Sequence, residues 1–202
     1  MPLLTLIRHG QSTYNLENRF TGNLDVELTA FGEEEARVAA GKLNGIHYAF
    51  AYTSMLRRAQ DTLRIILKEM RNDQLAVIKN PAFDERAYGS LQGLNKVETI
   101  IKCGADQVEL WRRSYSVRPP GGESLEDTFN RTVPYYRMEV EPKLRDQKNI
   151  LIVAHGNSLR ALMMYLESID QDTIATVNIP TGSPRNYTID ENLKIIHTDY
   201  MK

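Results

Sequence analysis

Two apolar runs in this chain end in the same dipeptide: Leu4-Thr5-Leu6-Ile7-Arg8-His9-Gly10 near the start, and Leu151-Ile152-Val153-Ala154-His155-Gly156 much later. The sequence holds four histidines, and two of them sit at these ends. A neutral imidazole, with an ordinary pKa of about 6.5, is a competent nucleophile near neutral pH. Phosphorus is the electrophile that suits such a pair when arginines and amide or hydroxyl donors stand close, because phosphoryl transfer is catalysed mostly by positioning and charge stabilisation. Arg8, Ser12 and Asn15 supply such donors around the first histidine, and Gly10 permits a close backbone approach. His155-Gly156-Asn157-Ser158 repeats the arrangement. The residues alone leave open which imidazole attacks and which binds. His47 and His197 lack such a setting and read as surface or packing residues.

Other groups extend this chemistry. Arg58 falls in the first turn of an expected helix, where backbone N–H groups and a guanidinium can meet one anion. Its neighbour Arg57 reads as solvent-facing. Glu85, within Asp84-Glu85-Arg86-Ala87-Tyr88-Gly89, is a carboxylate in a turn-rich loop that can move a proton to and from a substrate hydroxyl. Arg112-Arg113, after Trp111, and Lys96 bring more positive charge than one phosphate needs. They point to a second anionic group on the substrate.

The elements must bring these residues together. A continuous apolar run closed by Gly reads as a strand covered on both faces, and in open parallel sheets the chemistry gathers beyond the carboxyl ends of the strands. Thr29 is expected to cap a helix that stops at Asn44-Gly45, and Tyr48 to Tyr52 reads as a short strand. Ser54 is expected to cap the helix carrying Arg57 and Arg58, whose Leu56, Leu63, Ile66 and Leu67 recur at helical spacing. Leu75 to Ile78 reads as a strand; Val97 to Lys102 and Asp106 to Arg113 read as helices divided at Gly104. Ser124 to Arg145 is expected to be helical, bent at Pro134 or Pro142, and Ser158 to Leu166 supplies the helix after the second His-Gly strand. Arg185 to Ile189 and Leu193 to Ile196 read as a terminal hairpin. Strands alternating with helices predict an α/β fold with a mostly parallel central sheet, helices on both faces and a short C-terminal hairpin.

Composition bounds the partners. The 202 residues fit one domain, 1–202, with a single sizeable core. Lys and Arg total 25 against 26 Asp and Glu, a net charge of −1 that argues against nucleic acid and makes any positive patch local. The single cysteine, Cys103, rules out an internal disulfide and cannot build a zinc cluster; it reads as a buried small hydrophobe or inert thiol. The opening run lacks the basic start of a signal peptide, and no apolar stretch approaches the roughly 20 residues of a membrane span. A soluble cytoplasmic protein is expected.

Longer blocks narrow the reading. Phe20-Thr21-Gly22, Asp84 to Lys96 with its Gly93-Leu94-Asn95-Lys96 end, Trp111-Arg112-Arg113-Ser114, His155-Gly156-Asn157-Ser158-Leu159-Arg160 and Asn178-Ile179-Pro180-Thr181-Gly182 join Arg8-His9-Gly10 across nearly the whole chain. With these blocks the sequence closely resembles the cofactor-dependent phosphoglycerate mutases of the histidine phosphatase superfamily. The resemblance implies a phosphoglycerate-mutase-like fold, with His9 as the phosphorylated nucleophile and Glu85 as proton donor and acceptor. It places Arg8, Asn15, Arg58 and His155 around the transferring phosphoryl group. Ser12, Thr21, Gly22, Tyr88, Lys96, Arg112, Arg113 and Asn157 would bind the rest of the phosphoglycerate. The implied reaction interconverts 3-phosphoglycerate and 2-phosphoglycerate, primed by 2,3-bisphosphoglycerate, without a metal and in a homodimer.

Three departures from the family pattern bear on water access. Ala87 stands where members commonly have His; only Ser114 to Gly122 bridges the Trp-Arg-Arg and Glu123-Ser124-Leu125 blocks; and Lys202 follows soon after the terminal hairpin, without the long tail of larger members. Loops and tails of that kind exclude water, so a more open pocket is expected. The competing enzyme reading is a phosphatase of the same superfamily, in which water takes the phosphoryl group. A non-catalytic phospholigand-binding protein would be expected to have lost His9, His155 or Glu85, and all three are present.

Overall fold

The computed structural model describes residues 1–201. Strand β1 (Leu3–Arg8) leads through the single turn α1 (Thr13–Leu16) to α2 (Ala30–Lys42), β2 (Phe50–Thr53), α3 (Arg57–Glu69) and β3 (Ala76–Lys79). Two short 3-10 turns precede α4 (Lys96–Cys103) and α5 (Ala105–Arg113). There follow α6 (Leu125–Glu139), α7 (Glu141–Arg145), β4 (Ile150–Ala154), α8 (Gly156–Glu167), α9 (Gln171–Thr176), β5 (Arg185–Ile189) and β6 (Ile195–Tyr200). The strands form one six-stranded sheet in the order β3-β2-β4-β1-β5-β6. β3, β2, β4 and β1 run parallel, whereas β5 is antiparallel to β1 and β6 to β5.

Side-chain alternation along β4 builds a core on each face of the sheet. Ile150, Ile152 and Ala154 join Leu4, Leu6 and Tyr52 under Tyr136 of α6 and Leu159, Leu162 and Met163 of α8. Leu151 and Val153 face the other way, with Ile7 and Ala51, onto Ala36 and Ala39 of α2 and Leu63 and Ile66 of α3. All five β4 residues are buried, as a strand covered on both faces requires. The predicted α/β architecture with helices on both faces is therefore the observed one. A third, smaller cluster, Phe20, Leu91 and Val108 with Tyr88, Ile100 and Trp111, seats α4 and α5. No helix among the described residues is long and apolar enough to cross a membrane.

Several predicted boundaries hold. Thr29 caps α2, its Oγ1 accepting the Gly32 N–H at 3.0 Å, and Gly104, at φ 87°, separates α4 from α5. Others move for local reasons. Ser54 does not cap α3: Leu56 is the capping residue, and the Ser54 hydroxyl lies against His155 instead. Helix α8 starts two residues before Ser158, whose hydroxyl accepts the His155 N–H from inside the first turn. The long stretch after Ser124 breaks at Val140, so that Pro142 falls in the first turn of α7, where its missing N–H is not needed, while Pro134 stays inside α6. The second arm of the hairpin begins later than predicted, because Asp190 Oδ1 accepts the N–H groups of Asn192 and Lys194 and holds that segment as a turn. Cys103 is exposed rather than buried, at the last position of α4.

Two glycines set how closely α2 approaches the end of β1. A Cβ at Gly10 would lie 2.1 Å from the Gly32 carbonyl oxygen, and one at Gly32 would lie 2.1 Å from that of Gln11. Both obstacles are backbone, which no rotamer change can move. Gly32→Ala is expected to destabilise the fold by about 3 kcal/mol, the upper end of overpacking effects, read as a lower midpoint in urea unfolding; an unchanged midpoint would show that α2 can slide outward freely.

Candidate active site

The register of the parallel sheet puts three strand ends side by side. Arg8 of β1 pairs with Ala154 of β4, and Thr53 of β2 pairs with Val153. His9, Ser54 and His155, the residues just past these positions, therefore emerge together at the carboxyl edge. The two imidazoles have ring centroids 5.0 Å apart, and both are buried. His9 Nδ1 lies 2.7 Å from the Gly10 carbonyl oxygen, which can only accept, so this nitrogen carries the proton. Arg58 Nε donates to His9 Nε2 at 3.3 Å, which marks Nε2 as the nitrogen with the lone pair. The nucleophilic atom available in this tautomer is Nε2 of His9. Among the described residues, His155 Nδ1 and Arg8 Nε are buried without a protein partner.

Above the histidines opens a polar cavity of about 180 Å³, walled by Arg8, Asn15, Arg19, Phe20, Thr21, Gly22, Glu85, Tyr88, Lys96, Arg112, Arg113, Gly156, Asn157, Arg160 and Asn178. Its wall carries six cationic side chains, Arg8, Arg19, Lys96, Arg112, Arg113 and Arg160, against one carboxylate, Glu85. Small, charged and predominantly polar, it suits a compact polyanion rather than the drug-like ligands of apolar clefts. Among the described residues, no group of three or more His, Cys, Asp or Glu is arranged to hold a metal ion.

Burial and like charge strain these groups. Burial pulls the Arg58 and Arg160 guanidinium groups down to about 10; Arg8 adds to the effect on Arg58, and Arg113 to that on Arg160. Lys96 is lowered by burial and by the nearby Arg112, Arg8 and Arg113. Both histidines are held well below the usual imidazole value, first by burial and then by the Arg58 charge, so both are neutral near pH 7. Burial alone would raise Glu85, but its carboxyl is lowered overall by the Arg86 N–H, by Arg58 and Arg8, and by Asn157. Glu85 Oε1 accepts the backbone N–H of Arg86 at 2.9 Å and of Asn157, in the first turn of α8, at 3.0 Å. Oε2 remains free to exchange a proton, 3.6 Å from where a Cβ on Gly156 would stand.

The cavity collects Arg8, Asn15, Thr21, Gly22, Glu85, Tyr88, Lys96, Arg112, Arg113 and Asn157 of the predicted residues, with His9, His155 and Arg58 buried beside it. Ser12 is likewise buried beside the wall, where its hydroxyl caps α1 and donates to Asn15 Oδ1 at 3.0 Å. That bond leaves the Asn15 NH₂ as the group for a ligand. The amide ends of α3 are also not open to an anion, because Leu56 N–H donates to Ser54 Oγ and Arg57 N–H to Asp25. Arg58 instead spends its Nη groups on the Gly22 and Leu24 carbonyls and turns Nε to His9. Arg57 pairs with Glu27 on the exposed surface, and His47 and His197 are exposed, away from the cavity.

Reading by motif missed Arg19, Asn178 and Arg160. Arg160 carried a signal: three residues after Asn157 on one helix, it shares that face, and its Nη1 donates to Asn157 Oδ1 at 3.2 Å. Arg86 and Arg131 carried none. Arg86, fully buried, donates Nη2 to Tyr88 Oη and to the carbonyls of Trp111 and Arg112 at the end of α5. Arg131 on α6 donates to the carbonyls of Pro81, Ala82, Asp84 and Glu85 and pairs with Glu123, strapping down the loop that holds the carboxylate.

The chain belongs to the histidine phosphatase superfamily (branch 1), whose family profile matches residues 4–198. Within it, the chain is 52% identical over all its residues, and 94% of the relative, to the 2,3-bisphosphoglycerate-dependent phosphoglycerate mutase of Cytophaga hutchinsonii. It is 46% identical, over 98% of this chain and 96% of the other, to the enzyme of that name from Parvibaculum lavamentivorans. Among solved structures, a mycobacterial glucosyl-3-phosphoglycerate phosphatase complexed with VO3 superposes with a TM-score of 0.84 at 28% identity, covering 98% of each chain. Bacillus stearothermophilus YhfR shares the fold at a TM-score of 0.85 and 22% identity, over 96% of this chain and 94% of that one.

The buried neutral histidines have a consequence for stability. Below about pH 6.5 an unfolded chain protonates its histidines while the folded one holds His9 and His155 neutral, so the unfolded state binds more protons and stability falls with pH. Each of the two contributes a slope of up to ~1.4 kcal/mol per pH unit. Urea unfolding between about pH 6.5 and 5.5 is expected to show this decline, with His9→Asn flattening it; a flat wild-type profile would mean that the imidazoles are not depressed.

Proposed function

We propose that this chain is a 2,3-bisphosphoglycerate-dependent phosphoglycerate mutase, interconverting 3-phosphoglycerate and 2-phosphoglycerate through a phosphohistidine at His9. The observation that carries the reading is a surplus of five positive charges in a small cavity over a neutral histidine pair. A phosphate monoester bears about −1.5 to −2 charges at neutral pH, so two of them and a carboxylate come to roughly −4 to −5, closer to that surplus than a monophosphate. The identity to curated mutases favours this reading over a phosphatase.

In this mechanism His9 Nε2 attacks phosphorus in line with the departing oxygen. Glu85 Oε2 returns a proton to that oxygen and, in the reverse half-reaction, takes one from the attacking hydroxyl. Arg8, the Asn15 amide and His155, with Arg58 behind them, hold the equatorial oxygens as charge spreads over them. Thr21, Gly22, Tyr88, Lys96, Arg112, Arg113 and Asn157 grip the rest of the substrate; Ser12 acts on it only by fixing Asn15. 2,3-Bisphosphoglycerate supplies the phosphoryl group that first charges His9. Residues 1–202 work as one catalytic domain of glycolysis and gluconeogenesis in the cytoplasm, as a homodimer, and with no metal, nucleic acid or membrane partner.

The short Ser114 to Gly122 segment, pinned where Arg118 grips Asp127 with two bonds, covers less of the cavity than a longer loop would. The Cytophaga relative matches over 202 positions, the length of this chain, whereas a Lactiplantibacillus plantarum relative spreads over 225 and so carries inserted segments. Hydrolysis of 2,3-bisphosphoglycerate relative to mutase turnover is expected to be faster here than in a longer-loop member assayed alongside; an equal or lower ratio would refute the open-lid reading. For the main reaction, phosphorus NMR of protein with 3-phosphoglycerate should show 2-phosphoglycerate only when a trace of 2,3-bisphosphoglycerate is present. Inorganic phosphate as sole product would overturn the mutase reading. His9→Ala should abolish both turnover and the acid-labile phosphoenzyme, and retention of either would move the nucleophile elsewhere.

A further inference from the structure

Ser54 has the sequence position of a helix cap but lies in the centre of the site. It follows the last residue of β2, and Thr53 pairs with Val153, so Ser54 emerges beside the end of β4. Its Oγ is 2.7 Å from His155 Nε2, and both residues are completely buried. The hydroxyl has one proton and two lone pairs. One lone pair takes the Leu56 N–H at 3.1 Å, and among the described residues the only acceptor within reach of the proton is His155 Nε2. The opposite polarity, Nε2–H donating to Oγ, would leave two buried groups unmet, the hydroxyl proton and the Nδ1 lone pair, where the first polarity leaves only the Nδ1–H. That Nδ1, without a protein partner among the described residues, belongs to a ring whose centroid lies 5.0 Å from that of His9. A lone pair there would repel the oxygens of a phosphoryl group, whereas an N–H would bind them.

We propose that Ser54 is a positioning residue: its hydroxyl donates to Nε2 of His155 and holds that imidazole as the Nδ1–H tautomer, whose free N–H is offered to the phosphoryl group in transit. This rests on the function given above, and it adds a mirror relation between the two histidines. Both carry their proton on Nδ1, but His9 spends that proton on the Gly10 carbonyl and keeps its lone pair on Nε2, met only by a long 3.3 Å contact from Arg58 Nε, while His155 has its lone pair covered by Ser54 and leaves its proton unpartnered. One ring is thereby a nucleophile and the other a donor, although burial and charge act alike on both.

The test uses the whole chain labelled with 15N-histidine, whose four histidines can be assigned by single substitutions. Long-range 1H–15N spectra of the substrate-free protein at about pH 7.5, where an ordinary histidine is neutral, should place the His155 proton on Nδ1. Ser54→Ala should lose that fixed tautomer and lower kcat for 3-phosphoglycerate by about 10- to 100-fold with KM changed less than about twofold, as when one transition-state donor is misdirected. Ser54→Thr, which keeps the hydroxyl, should retain the tautomer and recover most of kcat. A wild-type proton on Nε2 overturns the proposal, and this measurement needs no Ser54 variant to fold. Retention of the Nδ1–H tautomer in Ser54→Ala overturns it too, as does an altered tautomer with unchanged kcat. Failure of the wild-type protein to convert 3-phosphoglycerate would count against the mutase reading alone, because the tautomer is read without substrate.

Discussion

Everything in this site hangs on the parallel pairing of β1 with β4. With Arg8 opposite Ala154, the chain leaves both strands at one level and delivers His9 and His155 to the same point, 146 positions apart in sequence. A slip of one residue would turn the side chains of a strand to the opposite face. Such a slip is opposed by the two-sided burial of β4, since either face of the strand already fills a core. The register that packs the centre of the molecule is thus the register that aligns the chemistry, and β2, on the other side of β4, brings Ser54 to the same level.

That scaffold holds a concentration of charge which the protein does not neutralise itself. Glu85 alone faces six cations across the cavity, and the guanidinium groups of Arg58 and Arg160 are pulled down by burial and by like neighbours. Such groups are uncomfortable until an anion arrives, and stored repulsion of this kind becomes binding free energy for a polyanion. The unpartnered Arg8 Nε and His155 Nδ1 belong to the same unfinished set of hydrogen bonds.

Rigid support for these side chains comes from arginines that never face the cavity. Arg131 gathers carbonyls from Pro81 to Glu85, and Arg86 ties Tyr88 to the carbonyl end of α5, which carries Arg112 and Arg113. A guanidinium suits this work, because its planar fork of donors can satisfy several carbonyls that would otherwise be stranded in loop backbone. The loop bearing the carboxylate contains little regular structure and is tied down by these side-chain bonds instead.

Periodicity and end signals in the sequence were enough to specify the strands, the helix faces and the α/β layering, because burial on two faces leaves an apolar run and capping leaves a Thr or Ser at a fixed offset. The residues that meet at the cavity were legible for the same reason: His9, His155, Glu85, Lys96 and the Arg112-Arg113 pair stand in short blocks at element ends. What the sequence could not decide was how each polar group spends its hydrogen bonds. Ser54 looked like a cap and meets a histidine; Ser12 turns its hydroxyl to Asn15 and caps a short helix; Arg58 looked like an anion site on open amides and instead turns Nε to His9. Arg86 reaches the Trp111 and Arg112 carbonyls 25 and 26 positions away, Arg131 reaches Glu123 8 positions away, and only Arg160 and Asn157 share a helix face that spacing could reveal. A hydrogen bond depends on distance and direction in three dimensions. Residue type in the chain set which groups could act, and tertiary packing of the strand ends decided which tautomer, which donor and which partner each of them has.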